Sequence, residues 1–168
     1  MHHATPFLLS ALDRVQEGFL EALDLDEEDA FTDHNLAPLR LRRDIAMLGF
    51  LRRFAHRRVP ECLAALFRFG QAAALPRRRQ PPCHGFQIFD PIDGTQSRAL
   101  ERSVYGLIYT FNSLPAAVVE DPDTSGFQRK LQHAAKKCLS NAKVSWKLLM
   151  TEGILKLSLQ EFHAVFNV

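Results

Sequence analysis

The stretch from Leu39 to Val59, LRLRRDIAMLGFLRRFAHRRV, decides the fold of this chain. At about 100° of rotation per residue, five of its nonpolar side chains fall on one stripe of a helix. The stripe consists of Leu41, Ile45, Leu48, Leu51 and Ala55. Met47, Phe50 and Phe54 form a second side that we expect to be partly buried. Arg42, Arg53 and Arg57 lie roughly opposite the stripe, so the pattern predicts a helix with three cations on one solvent-facing side.

Similar periodicity on both sides of this helix predicts a mainly α-helical protein. Leu12, Val15, Phe19 and Leu23 recur at helical spacing in an amphipathic segment. Further helices are expected over residues 27–31, over 61–69, from a Ser97 N-cap to Phe111, and from an Asp123 or Thr124 cap onward. We therefore predict a small helical domain of about five to seven helices, with at most a short extended segment near residues 84–89.

Charge is segregated along the chain, although the net charge is only +2. Residues 1–35 hold nine acids and one arginine, which gives −8, and residues 36–82 hold eleven arginines and two acids, which gives +9. We divide the chain into an acidic helical arm (1–35), an arginine-rich helical pair (36–69), a basic proline-rich linker and turn (70–96), C-terminal helices (97–140) and a poorly defined tail (141–168).

The arginine block has two interpretations of about equal weight. Guanidinium groups match the oxygens of phosphate and are weakly hydrated, so the block can bind nucleic acid. The same cations can instead pair with the acidic arm. The candidate nucleic-acid-binding residues are Arg42, Arg53, Arg57, Arg77, Arg78, Arg79, Lys130 and Lys137.

Composition argues against several other classes of protein. The longest apolar runs, such as Leu63 to Phe67, are far shorter than the roughly 20 residues of a membrane span, and no secretion signal is present. We expect an intracellular protein, in the nucleus or the cytoplasm, with no membrane partner. Cys62, Cys83 and Cys138 have no spacing typical of disulfides or zinc. We expect no cofactor, and the oligomeric state stays open.

One short motif suggests chemistry. Residues 90–95, DPIDGT, resemble the metal-binding loop of the inositol monophosphatase family, and this resemblance implies Asp90 and Asp93 as Mg²⁺ ligands. That family also has an upstream glutamate pair and a downstream W-D-x-A motif, and the sequence has neither. An ordinary Asp-Pro, Asp-Gly turn is the favoured interpretation, and a Mg²⁺-dependent phosphatase is a remote alternative.

A longer set of motifs runs in order through residues 10–140. It comprises LDRVQ (12–16), NLAPL (35–39), RRDIAML (42–48), HGFQI (84–88), RSVYGL (102–107) and FNSLP (111–115), followed by Val118, Val119, Ser125, Phe127 and Leu131. This set resembles the C-terminal region of LINE-type (non-LTR) retrotransposon reverse transcriptases. Phe111 stands where that family usually has Trp or Tyr, and Ser125 is one residue closer to Phe127 than the family pattern places it.

The resemblance implies a region that follows the palm and thumb of the polymerase and helps to hold template and primer. The paired aspartates of a polymerase palm, [FY]-x-D-D, are missing, so we expect no enzymatic activity. The leading hypothesis is a catalytically inactive remnant that binds RNA or RNA–DNA hybrid non-specifically. The alternative is a helical protein-interaction module or an inert pseudogene product.

Overall fold

The computed structural model describes residues 6–70, 84–91 and 103–140. Within them the chain is mainly helical, as the sequence predicted. A 3-10 helix spans Val104–Leu107. The α-helices of the described ranges are α1 (Pro6–Ala22), α2 (Glu27–Thr32), α3 (Leu39–Ala55), α4 (Glu61–Ala64), α5 (Ile108–Ser113), α6 (Ala116–Val119) and α7 (Thr124–Ser140).

Helix α3 forms the centre of the domain. All five residues of its predicted stripe are buried, and the second side is confirmed as well, since Phe54 is buried while Met47 and Phe50 are partly buried against the core. The helix packs most extensively against α7 and also contacts α1, α5 and the 3-10 helix. Only a narrow strip of α3 therefore remains in solvent.

Helices α3 and α7 run antiparallel and approach closely. Arg52 contacts Thr124 near the start of α7, while Gly49, one turn earlier on α3, lies beside Gln128. A Cβ atom at Gly49 would stand 2.7 Å from Nε2 of Gln128. The missing side chain thus leaves room for the side chain of Gln128 between the two helices.

Arg52 is the largest fully buried side chain of the described residues, with 0% exposure. Its guanidinium donates to Oγ1 of Thr124 at 3.1 Å and to the carbonyl of Asp121, and it lies 5.8 Å from the ring centroid of Phe127. Burial lowers its pKa, and the charge of nearby Asp121 opposes that effect. This arginine joins the end of α3 to the turn before α7.

Helix α1 lies at the periphery of the domain. It contacts α3 through Asp13, which pairs with Arg43. Nε2 of Gln16 donates to the carbonyl of Ala37, two residues before α3, at 3.3 Å, and Leu20 is buried. Its amphipathic pattern is present, but the apolar side chains at 12, 15, 19 and 23 are exposed. The described contacts between α1 and the rest of the domain are therefore mainly polar.

Two predicted helices are shorter than expected. The helix predicted over 61–69 ends at Ala64, because residues 68–70 instead pair with residues 87–89 as an isolated antiparallel bridge. The helix predicted to run from Ser97 to Phe111 is interrupted at Ser103, whose hydroxyl accepts from the amide of Tyr105 at 3.2 Å and starts the 3-10 helix. Ser97 itself lies outside the described residues.

Other predicted boundaries are confirmed. Leu114 has an extended backbone before Pro115, which ends α5. The carboxylate of Asp123 accepts from the amide of Gly126 at 3.1 Å, so Asp123 caps α7 as predicted. Among the described helices, none is both long enough and apolar enough to cross a bilayer. The predicted tail, residues 141–168, lies outside the described residues.

Candidate nucleic-acid interface

Two of the predicted cations lie on the solvent strip of α3. Arg42 and Arg53 are separated by eleven residues, which corresponds to three helical turns and about 16 Å along the axis, with only about 20° of rotation between them. Both side chains are exposed, and neither forms an ion pair with any residue in the described ranges. They can therefore contact two separate phosphates of a strand that follows the helix.

Arg57 follows the end of α3 in an unusual backbone conformation. Its φ is 56°, its amide donates to the carbonyl of Phe54 at 2.8 Å, and the next amide, of Arg58, donates to the carbonyl of Arg53 at 2.7 Å. These two bonds define a Schellman motif, in which glycine is the usual residue at the position that Arg57 occupies. An arginine is disfavoured at this position, and the side chain of Arg57 is exposed.

The guanidinium of Arg57 lies over an aromatic ring. Its carbon is 5.5 Å from the ring centroid of Phe69, and that ring stacks on Phe54 with centroids 5.0 Å apart and 20° between planes. Phe69 is 47% exposed. The exposed planar guanidinium next to this pair can stack on a nucleobase while its charge faces a phosphate.

The bridge at residues 68–70 contains a further exposed cation, Arg68, next to Phe69 in the chain. Phe69 pairs with Ile88, with hydrogen bonds from Gly70 to the carbonyl of Gln87 at 2.9 Å and from Phe89 to the carbonyl of Arg68 at 2.8 Å. Arg68 is exposed. We call Arg42, Arg53, Arg57, Arg68 and Phe69 the basic surface.

The predicted cations Arg77, Arg78 and Arg79 lie outside the described residues. The chain that contains them leaves the described fold at Gly70 and re-enters it at His84, and both ends belong to the same bridged segment. A Cβ atom at Gly70 would lie 3.2 Å from the backbone carbon of Ile88, so the strands approach closely.

A buried polar clamp fixes the second strand of the bridge. The side-chain amide of Asn112 donates to the carbonyl of Ile88 at 2.7 Å and accepts from its amide at 2.9 Å. Gln87 donates to the carbonyls of His84 and Asn112 at 3.1 and 3.2 Å. Motifs 84–88 and 111–115, which are separated by 22 residues in the sequence, therefore contact each other directly.

His84 is a structural member of this clamp. Its Nδ1 accepts from the amide of Phe86 at 3.1 Å, so its Nε2 acts as donor to the carbonyl of Phe111 at 3.0 Å. Both ring nitrogens are thus occupied by backbone groups. No cluster of three metal-binding side chains occurs in the described ranges, which include Asp90 but not Asp93.

The described part of the acidic arm contacts only part of the arginine block. Arg43 forms a two-point ion pair with Asp13 through N–O distances of 3.0 and 3.3 Å. Arg40 lines a cavity of about 640 Å³ with Asp13, Glu17 and other residues of α1 and α2. Burial raises the pKa of Glu27 in this cavity, and the charges of Glu17 and Asp13 add to that effect. The described part of the arm thus pairs with the start of α3 and leaves Arg53 and Arg57 unpaired.

The predicted cations on α7 have different surroundings. Lys130 forms an ion pair with Asp121 at 2.9 Å and donates to the carbonyl of Ala117 at 2.9 Å, so it helps to hold the turn before α7. Together with a backbone bond from Asp123, it keeps the pKa of Asp121 below its usual range. Lys137 is partly buried in the last turn of α7. We therefore define the basic surface without these two lysines.

The sequence predicts one helix over residues 61–69, and for this reason it does not single out Arg68 and Phe69. It also did not single out Arg52 from the other arginines. A usable signal existed for Arg52, since its position on the α3 wheel falls between Leu41 and Ile45 inside the nonpolar stripe.

The comparisons with known proteins give no match. No protein family, no curated protein and no solved structure is similar to this chain at a significant level.

Proposed function

We propose that the protein is a non-catalytic domain that binds RNA or RNA–DNA hybrid non-specifically through the basic surface. The observation that supports this proposal is the exposure of Arg42, Arg53 and Arg57 without acidic partners in the described ranges. These three cations extend over about 20 Å along and beyond α3. The resemblance to the C-terminal region of LINE-type reverse transcriptases agrees with this role.

The mechanism is phosphate neutralisation. Each phosphate that a guanidinium contacts releases bound counterions, so affinity falls with salt. For a single strand the slope of log K against log salt is about −0.7 per phosphate, and three contacts give about −2. Stacking of a base on Arg57 would add affinity for unpaired bases without selecting a sequence.

The test uses fluorescence anisotropy with a short single-stranded RNA and an RNA–DNA hybrid over a salt series. We expect the wild-type protein to bind with the salt slope above. Arg57→Gly is the decisive variant, because glycine relieves the left-handed conformation while it removes the cation. Its free energy of unfolding should rise by about 1 kcal/mol, yet its binding should weaken and its salt slope should flatten by roughly 0.7.

The matched control is Arg14→Gln, which removes an exposed arginine from the acidic arm. We expect this variant to bind as the wild type does. A flat salt response of the wild type, or equal losses for Arg57→Gly and Arg14→Gln, would rule out the basic surface as the binding site.

A protein-interaction module is the second candidate, favoured by the pairing of Asp13 with Arg43. If the acidic arm covers the arginines, Asp13→Asn should raise the affinity for RNA several-fold at low salt. An unchanged affinity would count against such coverage. The same anisotropy assay thus separates the two candidates.

A further inference from the structure

Three side chains at the end of α3 form a stack of planar groups. The ring of Phe54 stacks on the ring of Phe69 with centroids 5.0 Å apart, and the guanidinium carbon of Arg57 lies over the Phe69 ring at 5.5 Å from its centroid. We call these three side chains the arginine–aromatic stack. Phe54 is buried, whereas Arg57 and Phe69 are exposed. A ligand can therefore reach the stack only at Arg57 and Phe69.

The stack rests on a fixed base. Phe54 also packs against the buried Phe67, with ring centroids 5.1 Å apart, and Phe67 packs against Tyr105 at the same distance. The backbone on both sides of Phe69 is held by the bridge to residues 87–89. Because these groups are ordered before a ligand arrives, binding costs little conformational freedom.

The guanidinium of Arg57 is available to a ligand. Within the described ranges it forms no ion pair and no hydrogen bond, and its backbone has a φ of 56°. An arginine in this left-handed conformation is disfavoured, and residues held in such conformations cluster at binding sites. The planar group thus offers a face for stacking and donors for a phosphate.

An unpaired nucleobase matches this arrangement. Unstacked bases bind on aromatic rings and on the planes of guanidinium groups. In a strand each base is accompanied by a phosphate, and the exposed Arg53 lies four residues before Arg57, in the last turn of α3. A nucleotide can therefore satisfy both the stack and the neighbouring cation. A base within a duplex would first have to leave its stack and its pair, which costs free energy.

We propose that the arginine–aromatic stack binds an unpaired nucleobase, so that the basic surface selects single-stranded nucleic acid over an RNA–DNA hybrid. This inference rests on the proposed function, to which it adds the class of strand. Phosphate contacts alone would favour the hybrid, because a duplex has the higher charge density. Stacking of one base strengthens binding by roughly 5- to 100-fold, which is enough to reverse that preference.

The test measures the binding of three ligands to the full chain by fluorescence anisotropy over a salt series. The ligands are an unstructured single-stranded RNA of about 12 nucleotides, the same RNA annealed to its DNA complement, and an abasic sugar–phosphate strand of equal length. At each salt concentration we expect the single strand to bind at least about fivefold more tightly than either other ligand.

The failure of this inference can be told apart from the failure of the proposed function. Salt-dependent binding in which the hybrid or the abasic strand binds as tightly as the RNA overturns the inference and leaves the proposed function in place. Binding of none of the three ligands, or binding that does not respond to salt, overturns both.

Arg57→Lys isolates the stack, because lysine keeps the charge and the Cβ atom but lacks the planar group. It should lose about fivefold or more in affinity for the single strand, with an unchanged salt slope and little change for the hybrid. Arg42→Lys is the matched control, since Arg42 is exposed on the same basic surface and no aromatic ring of the described ranges lies under it.

The control variant should keep the preference for the single strand, and both variants should unfold at the wild-type temperature in circular dichroism. Equal losses of single-strand affinity in Arg57→Lys and Arg42→Lys overturn the assignment of the preference to the stack. The comparison of the three ligands uses the wild type alone, so it decides the proposal even if a variant fails to fold.

Discussion

Helices α1 and α3 have the same length, seventeen residues, and both have apolar residues at helical spacing. The stripe of α3 is fully enclosed by other elements, whereas that of α1 faces solvent. Conversely, α3 contains six charged residues and still forms the centre of the domain. Periodicity thus locates the nonpolar side of a helix, but the elements packed around it determine whether that side is buried.

The largest difference in the effect on stability is expected between two neighbouring arginines of α3. Arg52→Ala should lower the free energy of unfolding by about 4 kcal/mol, because it leaves the hydroxyl of Thr124 and the carbonyl of Asp121 without their donor and opens a cavity beside Phe127. Arg53→Ala should cost less than about 0.5 kcal/mol. Urea unfolding measures both. Equal effects would contradict the central position of α3.

Truncation of apolar residues compares the two helices directly. Leu48→Ala removes a fully buried side chain and should destabilise the fold by about 3 kcal/mol. Val15→Ala on α1 removes a side chain that is 70% exposed and should cost less than about 0.5 kcal/mol at low protein concentration. Thermal unfolding of both variants at a few micromolar provides the measurement. A large loss of stability in Val15→Ala would mean that other residues cover the apolar side of α1.

A buried acid on α3 predicts a dependence on pH. Burial raises the pKa of Asp44 to about 6, although Arg40 and Arg43 oppose this effect. Because the folded state then holds the proton more tightly than the unfolded chain, Asp44 makes stability fall as pH rises from about 4 to about 6. The difference amounts to roughly 2 to 3 kcal/mol at pH 7.

Asp44→Asn should accordingly raise the free energy of unfolding at pH 7 by about 2 kcal/mol and should remove this part of the pH dependence. The exposed Asp33→Asn is the control and should leave the curve unchanged. Urea unfolding at several pH values between 4 and 8 checks the prediction. A stability loss in Asp44→Asn at pH 7 would mean that the carboxylate has a stabilising partner.

The smallest effect is expected where the two helices meet. Asp13→Asn removes the ion pair with Arg43, and both side chains are partly exposed, so the cost should be below about 1 kcal/mol and should shrink in high salt. Urea unfolding at low and high salt measures this term. A loss of several kcal/mol would instead place α1 among the essential elements of the core.

The sequence predicted well what depends on local spacing. It located α3, its buried stripe, the Leu114-Pro115 break and the Asp123 cap. It did not predict the pairing of residues 68–70 with 87–89, because that contact joins distant parts of the chain. The left-handed backbone of Arg57 was also missed, since the residue type gives no hint of it. Of the candidate site, the exposure of Arg42, Arg53 and Arg57 followed from the pattern, but their aromatic neighbour Phe69 did not.

The side chain of Asn112 presents to Ile88 the donor and acceptor that a neighbouring strand would present. One residue on a helix thereby supplies to Ile88 the two hydrogen bonds that a neighbouring strand would supply, and it fixes this side of the bridge. Lengthening a closed loop costs little, about 0.6 kcal/mol for each doubling. With Gly70 and Gln87 joined by the bridge, a change in the number of residues between them therefore carries only a small cost in closure entropy.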